Sequence, residues 1–161
     1  MADQEDIVIQ ITQAAYDKLK EELEWREGPY RQDITEKIAA ARAEGDLSEN
    51  GGYQAAREAQ GKNEARINEL IVKLRGAQIV KPVESGLVGN GSVVKISIGG
   101  NDMTYVVGSR EIAVATDYDV ISAESPVGAA IMGHKAGETV EYKAPNGRMI
   151  SVEILSSEPL E

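Results

Sequence analysis

Two carboxylates, Asp46 and Glu49, stand three positions apart in the segment Glu44-Gly45-Asp46-Leu47-Ser48-Glu49-Asn50-Gly51-Gly52. The spacing admits two chemistries. Asp-x-x-Glu matches a capping box, in which the first side chain accepts from the N–H groups of a starting helix and the fourth reaches back. Ser48 offers a second cap, and acids are stabilised at the positive end of a helix. The other chemistry is metal binding. Mg²⁺ takes oxygen donors, keeps several waters and needs only one or two carboxylates when a substrate supplies the remaining oxygens. Two carboxylates are too few for a tight site of their own, so they make sense as completing a site on another molecule, where they would steady Mg²⁺ and orient water toward a phosphodiester. Arg42 lies four residues before Asp46 and Arg57 eight after Glu49. Both could hold a phosphate there or, as plain surface arginines, pair with helix carboxylates at i±4.

The rest of the composition offers little competing chemistry. The 161 residues include no cysteine and one histidine. Disulfides, thiolate zinc sites, iron–sulfur clusters and cysteine nucleophiles are thereby excluded, and His134 would have to supply every imidazole of a triad. Gly86-x-x-Gly89-x-Gly91 does not open a helix and reads as a turn before a strand. Asp117-Tyr118-Asp119 lacks the further ligands of a Ca²⁺ loop. Lys and Arg number 17 against 27 Asp and Glu, a net charge of −10. Residues 1–80 and 81–161 each carry −5, so neither half is a basic nucleic-acid platform. A role near RNA or DNA must run through a partner protein or small basic spots. With no run near the roughly 18 apolar residues of a membrane span and no leader pattern, the chain is expected in the cytoplasm.

The elements that must position the two acids come in two grammars. From Thr12, a candidate N-cap, to about Ala77 the pattern is helical, with Tyr16, Leu19, Leu23, Tyr30, Ile34, Ile38 and Ala41 forming one heptad-like seam. Tyr53, Ala56, Gln60, Ile67, Leu70, Leu74 and Ala77 form a second. Gly28-Pro29 interrupts the first as a kink or restart. The short turn at 44–52 forces the two runs antiparallel, an arm of roughly 45 Å. Beyond Val80 the period becomes two. Ser92–Ile98 and Met103–Val107 flank a turn at Gly99–Asp102, Asp119–Ser122 is a third strand, and Thr139–Lys143 with Met149–Ile154 flank Pro145-Asn146-Gly147, a strong hairpin signal. Ser125-Pro126 to Gly133 reads as a short helix with N-cap, first-position proline and glycine stop. Glu158–Glu161 reads as a frayed tail. The expected architecture is α+β: a coiled-coil hairpin over 1–80, a linker over 81–86, and a small antiparallel sheet domain with one short helix over 87–161.

Ala43 to Gln60, read as Ala-Glu-Gly-Asp-Leu-Ser-Glu-Asn-Gly-Gly-Tyr-Gln-Ala-Ala-Arg-Glu-Ala-Gln, closely resembles the signature of the Gre family of bacterial transcript cleavage factors, GreA type. Ser125–Gly133, followed by Lys135-Ala-Gly-Glu-Thr-Val140, resembles that family's C-terminal segment. The resemblance implies an FKBP-like C-terminal domain that docks on the rim of bacterial RNA polymerase, and a coiled coil that enters the secondary channel. There the tip acids, Asp46 and Glu49, would help the polymerase's own active site hold a second Mg²⁺ and activate water, cutting the nascent RNA 3′ end of a backtracked complex. Arg42 and Arg57 would contact RNA, Tyr53 matches a motif tyrosine near the tip, and Ser125, Pro126, Gly128 and Gly133 fall in the docking region. The factor would have no independent active site and would act as a monomer. Gly51-Gly52 departs from the small residue and acid common in relatives, and each glycine loosens the start of the second helix by roughly 1 kcal/mol relative to alanine. Inhibitory relatives occlude the channel and differ at the tip acids, which are intact here. A prolyl isomerase would need an aromatic-lined pocket, whereas residues 81–161 hold three tyrosines, no Phe and no Trp. A plain coiled-coil adaptor would not need paired acids at its turn.

Overall fold

The computed structural model describes residues 8–45, 50–81 and 83–160, grouped into two compact units. The first holds Asp17–Gly76, and the second holds Val8–Tyr16 with the residues from Ala77 onward.

The first unit is a helical hairpin. Helix α1 (Gln13–Trp25) runs through a five-residue π-helical turn (Arg26–Tyr30) into α2 (Arg31–Ala43), and α3 (Gly51–Arg75) returns. Gly28-Pro29 therefore neither breaks nor restarts the helix. Pro29 has no N–H for the preceding turn, and the chain meets that loss by widening. The seam is aliphatic: Ile34, Ile38 and Ala56 form one buried cluster, with Tyr30, Tyr53 and Ala59 packed against it, and Leu19, Ile67 and Leu70 are buried as well. Polar groups add directional bonds. Asn63 is 2% exposed; its Nδ2 donates to the Arg26 carbonyl at 3.1 Å and its Oδ1 accepts from Arg26 Nη1 at 3.0 Å. Arg26 Nε donates in turn to Glu22 at 2.7 Å, and Arg66 grips both oxygens of Glu22 at 2.8 Å each. The Arg66 guanidinium, aided by Arg26, holds the Glu22 carboxyl down at about 2.

The second unit is a mixed sheet with one short helix. Its strands are β3 (Ser92–Ile98), β4 (Asn101–Val107), β5 (Asp119–Ile121), β6 (Thr139–Lys143) and β7 (Met149–Pro159), in the order β5-β4-β3-β7-β6. The expected antiparallel pairs are present, but β5 lies parallel to β4. A parallel neighbour needs a crossover, and the 3₁₀ segment Arg110–Ala115 provides it. The β3–β4 turn is only Gly99-Gly100, both at positive φ, so Asn101 and Asp102 belong to the strand. Nor is the C-terminus a frayed tail as far as it is described. β7 pairs with β3 out to Pro159, skipping Leu155 at a bulge, and Leu160 N–H donates to Gly91. A separate parallel pair, β1 (Ile9–Ile11) with β2 (Ala77–Ile79), also belongs to this unit.

Helix α4 (Pro126–Ile131) caps the sheet. Ser125 Oγ accepts from Gly128 N–H at 3.1 Å, and Gly133, at φ 79°, ends the segment with its N–H on the Val88 carbonyl. The core beneath is Val88, Val94, Ile96, Val107, Ile131, Val152 and Ile154. Gly128 packs so closely on the Ser122 carbonyl that a Cβ would sit 1.9 Å from its oxygen.

Two predictions follow from this packing. Glu22→Gln should lower unfolding free energy by about 1–2 kcal/mol at pH 7, the figure being held down by partial solvent screening. Because the folded-state pKa of Glu22 lies below its ordinary 4.5, the difference from wild type should be complete above that value and shrink as pH falls toward 2. Urea titrations at several pH values test it. Gly128→Ala should cost about 2 kcal/mol or more because backbone must move, whereas Gly133→Ala, with open space but positive φ, should cost about 1 kcal/mol in the same assay.

Candidate functional site

The ends of α2 and α3 are tied by one side chain. Asn50 is the N-cap of α3: its Oδ1 accepts from Tyr53 N–H at 3.1 Å, while its Nδ2 donates to the Ala41 carbonyl in the last turn of α2 at 3.0 Å. One amide thus satisfies an orphan donor of one helix and an orphan acceptor of the other. Asn50 is the cap, and Ser48 and the Asp46–Glu49 pair fall outside the described residues. The helix then begins on Gly51-Gly52, and Gly52 leaves only 3.3 Å between an added Cβ and the capping Oδ1. Glycine there keeps room for the cap.

Asp46 and Glu49 themselves lie outside the described residues. The three remaining predicted positions gather at this end of the hairpin. Arg42 occupies the last turn of α2, where the helix dipole favours a cation, and it has no ion partner among the described residues. Arg57 is exposed and donates to Gln60 Oε1 at 2.7 Å, again with no carboxylate partner among the described residues. Tyr53 is half-buried against Ile34, Ile38 and Ala56, so its ring braces the helix pair close to the turn. Elsewhere on the hairpin Arg26 and Arg66 engage Glu22 and Arg31 engages both oxygens of Glu64 at 3.0 and 2.8 Å, while Arg75 at the end of α3, like Arg42 and Arg57, has no carboxylate partner among the described residues. Among the described residues no group of three or more histidines or acids is placed to hold a metal.

The second unit carries an apolar groove of about 290 Å³, lined by Ile98, Tyr105, Ile121, Pro126, Tyr142 and Pro145 among others. Ser125 and Pro126 stand on its rim. Gly128 and Gly133 do not: the first packs on Ser122 and the second closes the segment against Val88, so both shape the segment without lining the groove. Two of the three tyrosines in this half, Tyr105 and Tyr142, converge on the groove from β4 and β6, so a scarcity of aromatics has not left the sheet without a lined cleft. Their apolar neighbours on the same strands were the available signal.

Residues 9–79 match the family model described as transcription elongation factor, N-terminal, and residues 83–159 match that for transcription elongation factor, GreA/GreB, C-terminal. The transcription elongation factor GreA of Streptomyces coelicolor is 48% identical over 153 residues, 92% of each chain. That of Mycobacterium tuberculosis is 42% identical over 154 residues, 92% of this chain and 93% of its own. Among solved structures, the GreA factor homolog 1 (Gfh1) protein of Thermus thermophilus is 26% identical, covers 94% of this chain and 99% of that one, and superposes with a TM-score of 0.44. With both family segments present in order and near-complete alignment to curated relatives, the chain belongs to the GreA/GreB family of transcription elongation factors.

Proposed function

We propose that this factor rescues arrested transcription by entering the secondary channel of bacterial RNA polymerase and stimulating the polymerase's own Mg²⁺-dependent cleavage of backtracked RNA. The observation that carries the reading is the Asn50 tie. It brings Arg42 and Arg57, neither paired to a carboxylate among the described residues, to the end of the hairpin where the chain passes through Asp46 and Glu49. Arginines with no carboxylate partner among the described residues are suited to an anion supplied from outside.

In this reading the protein has no independent active site, and its residues divide the work. Asp46 and Glu49 complete the oxygen shell of a metal site shared with the polymerase and accept from the attacking water, fixing its direction. Mg²⁺ held there supplies Lewis acidity and neutralises developing charge on the phosphodiester. Arg42 and Arg57 hold phosphates of the extruded nascent RNA 3′ end, and Tyr53 keeps the helix ends rigid beneath them. The Ser125–Pro126 rim and the groove behind it dock on the polymerase exterior, with Gly128 and Gly133 setting the shape of that segment. The factor acts as a monomer in the cytoplasm.

A stalled, backtracked bacterial polymerase complex with end-labelled RNA and Mg²⁺ tests the reading. The wild-type protein should accelerate RNA shortening and restore synthesis. Asp46→Asn with Glu49→Gln should lose about 100-fold or more of that acceleration while still competing with wild type for the polymerase. A wild-type protein that binds and only blocks synthesis would make this chain an inhibitor and refute the proposal.

A further inference from the structure

Trp25 and Tyr30 are five positions apart, a spacing that on a regular α-helix sets two side chains about 140° apart around the axis. The π-helical turn over Arg26–Tyr30, whose bonds run between residues five apart, brings them onto one side. The rings stack, with centroids 4.4 Å apart and planes within 8° of parallel. Tyr30 in turn packs against the Ile34, Ile38 and Ala56 cluster, so the indole lies on a braced ring. The Arg26 guanidinium carbon is 5.7 Å from the indole centroid and 5.9 Å from the phenol centroid. Almost equidistant from two rings so close together, it sits beside the stack and not on the outer indole face. Neither Tyr30 nor Arg26 covers that face, and Trp25 is 48% exposed.

Within one turn of Trp25 along the chain, the charges without an ion pair are negative. Glu21 lies at i−4, where side chains stand about 5–6 Å apart, and Glu24 immediately precedes the indole. Both are exposed, and neither has an ion partner among the described residues. The arginines close by are engaged, Arg26 on Glu22 and Arg31 on Glu64. An electron-rich ring with a carboxylate one turn away suits a guanidinium, which can stack on the indole while donating to the carboxylate. The same acids disfavour a nucleic acid strand. We propose that the outer face of Trp25, with Glu21, is a docking site for an arginine side chain of the RNA polymerase. That the polymerase bears this arginine rests on the function proposed above, in which the flanks of the arm face the channel wall. Trp25 lies 18 positions before Ala43, roughly 25 Å back along the helix. The contact therefore holds the factor and takes no part in RNA cleavage.

Competition with radiolabelled wild-type factor for the polymerase, read as Kd, tests the proposal. Trp25→Ala should raise Kd about tenfold. Trp25→Leu, which keeps apolar area but removes the ring, should weaken binding as much, and Trp25→Phe should recover about threefold of that loss. Glu21→Gln should raise Kd about threefold, and its difference from wild type should shrink as salt rises. In every variant the rate of RNA cleavage at saturating factor should change far less than Kd. A Kd for Trp25→Ala within about twofold of wild type overturns the proposal. So does a wild-type-like Trp25→Leu, or a Trp25→Phe no better than Leu, since the occupant would then be apolar. An unchanged Kd in Glu21→Gln overturns it as well. A wild-type factor that sediments as a dimer, and that Trp25→Ala returns to monomer, assigns the face to a second copy and has the same effect. If wild type binds the polymerase without promoting cleavage, the function proposed above fails while the Kd series still decides this contact. If wild type does not bind at all, both fall.

Discussion

The hairpin depends on Glu22 being shared between two guanidinium groups. The apolar seam, with Leu19, Ile34, Ile38, Ala56, Ile67 and Leu70 buried, is non-directional and does not by itself single out one register. A carboxylate gripped by Arg66 through both oxygens does so. Arg26 joins the same carboxylate and passes the constraint to Asn63, so Glu22, Arg26, Asn63 and Arg66 close a ring across the two helices. At the other end of α2 and α3, Asn50 repeats the device on a smaller scale, spending one amide on both helix ends. The arm is thus tied by directional bonds around Glu22 and at Asn50 and, between them, by Arg31 on Glu64, with apolar packing alongside.

That division leaves charges of both signs at the far end of the hairpin. Arg26, Arg31 and Arg66 are absorbed by Glu22, Glu64 and Glu69, whereas Arg42 and Arg57, like Arg75 at the end of α3, have no carboxylate partner among the described residues. The net charge of −10 disfavours indiscriminate attachment to nucleic acid. Two cations at one end favour phosphate only where something else has brought it close. Charge placement and charge total therefore act on different distances.

Much of this architecture could be read from local pattern. The hairpin at Pro145-Asn146-Gly147 and the segment from Ser125 to Gly133 were legible because turn and cap chemistry is written in consecutive residues. The helical seams were legible because they repeat. What escaped was non-local or ambiguous. Strands β1 and β2 have three residues each and find one another across 65 intervening positions, with no periodicity to announce either. The parallel β4–β5 pair depends on a crossover whose 3₁₀ segment has no strong signature. Gly28-Pro29 carries the signs of a break, yet the helix continues through it as a wide turn, and Asn63 on the facing helix bonds the Arg26 carbonyl there, a contact no local pattern announces. At the tip, the recognisable motif was legible, but the cap candidates read from it were Asp46 and Ser48, and Asn50 takes the role.

The wide turn has a spectroscopic consequence. Trp25, the sole tryptophan, stacks on Tyr30 with ring centroids 4.4 Å apart and planes within 8° of parallel, and the Arg26 guanidinium lies 5.7 Å from its ring. The indole is 48% exposed. Its emission therefore arises from one place in the molecule, and that place is where the helix changes pitch. A rearrangement of the arm that parts Trp25 from Tyr30 changes the surroundings of the indole, so the protein carries an intrinsic optical gauge of this turn.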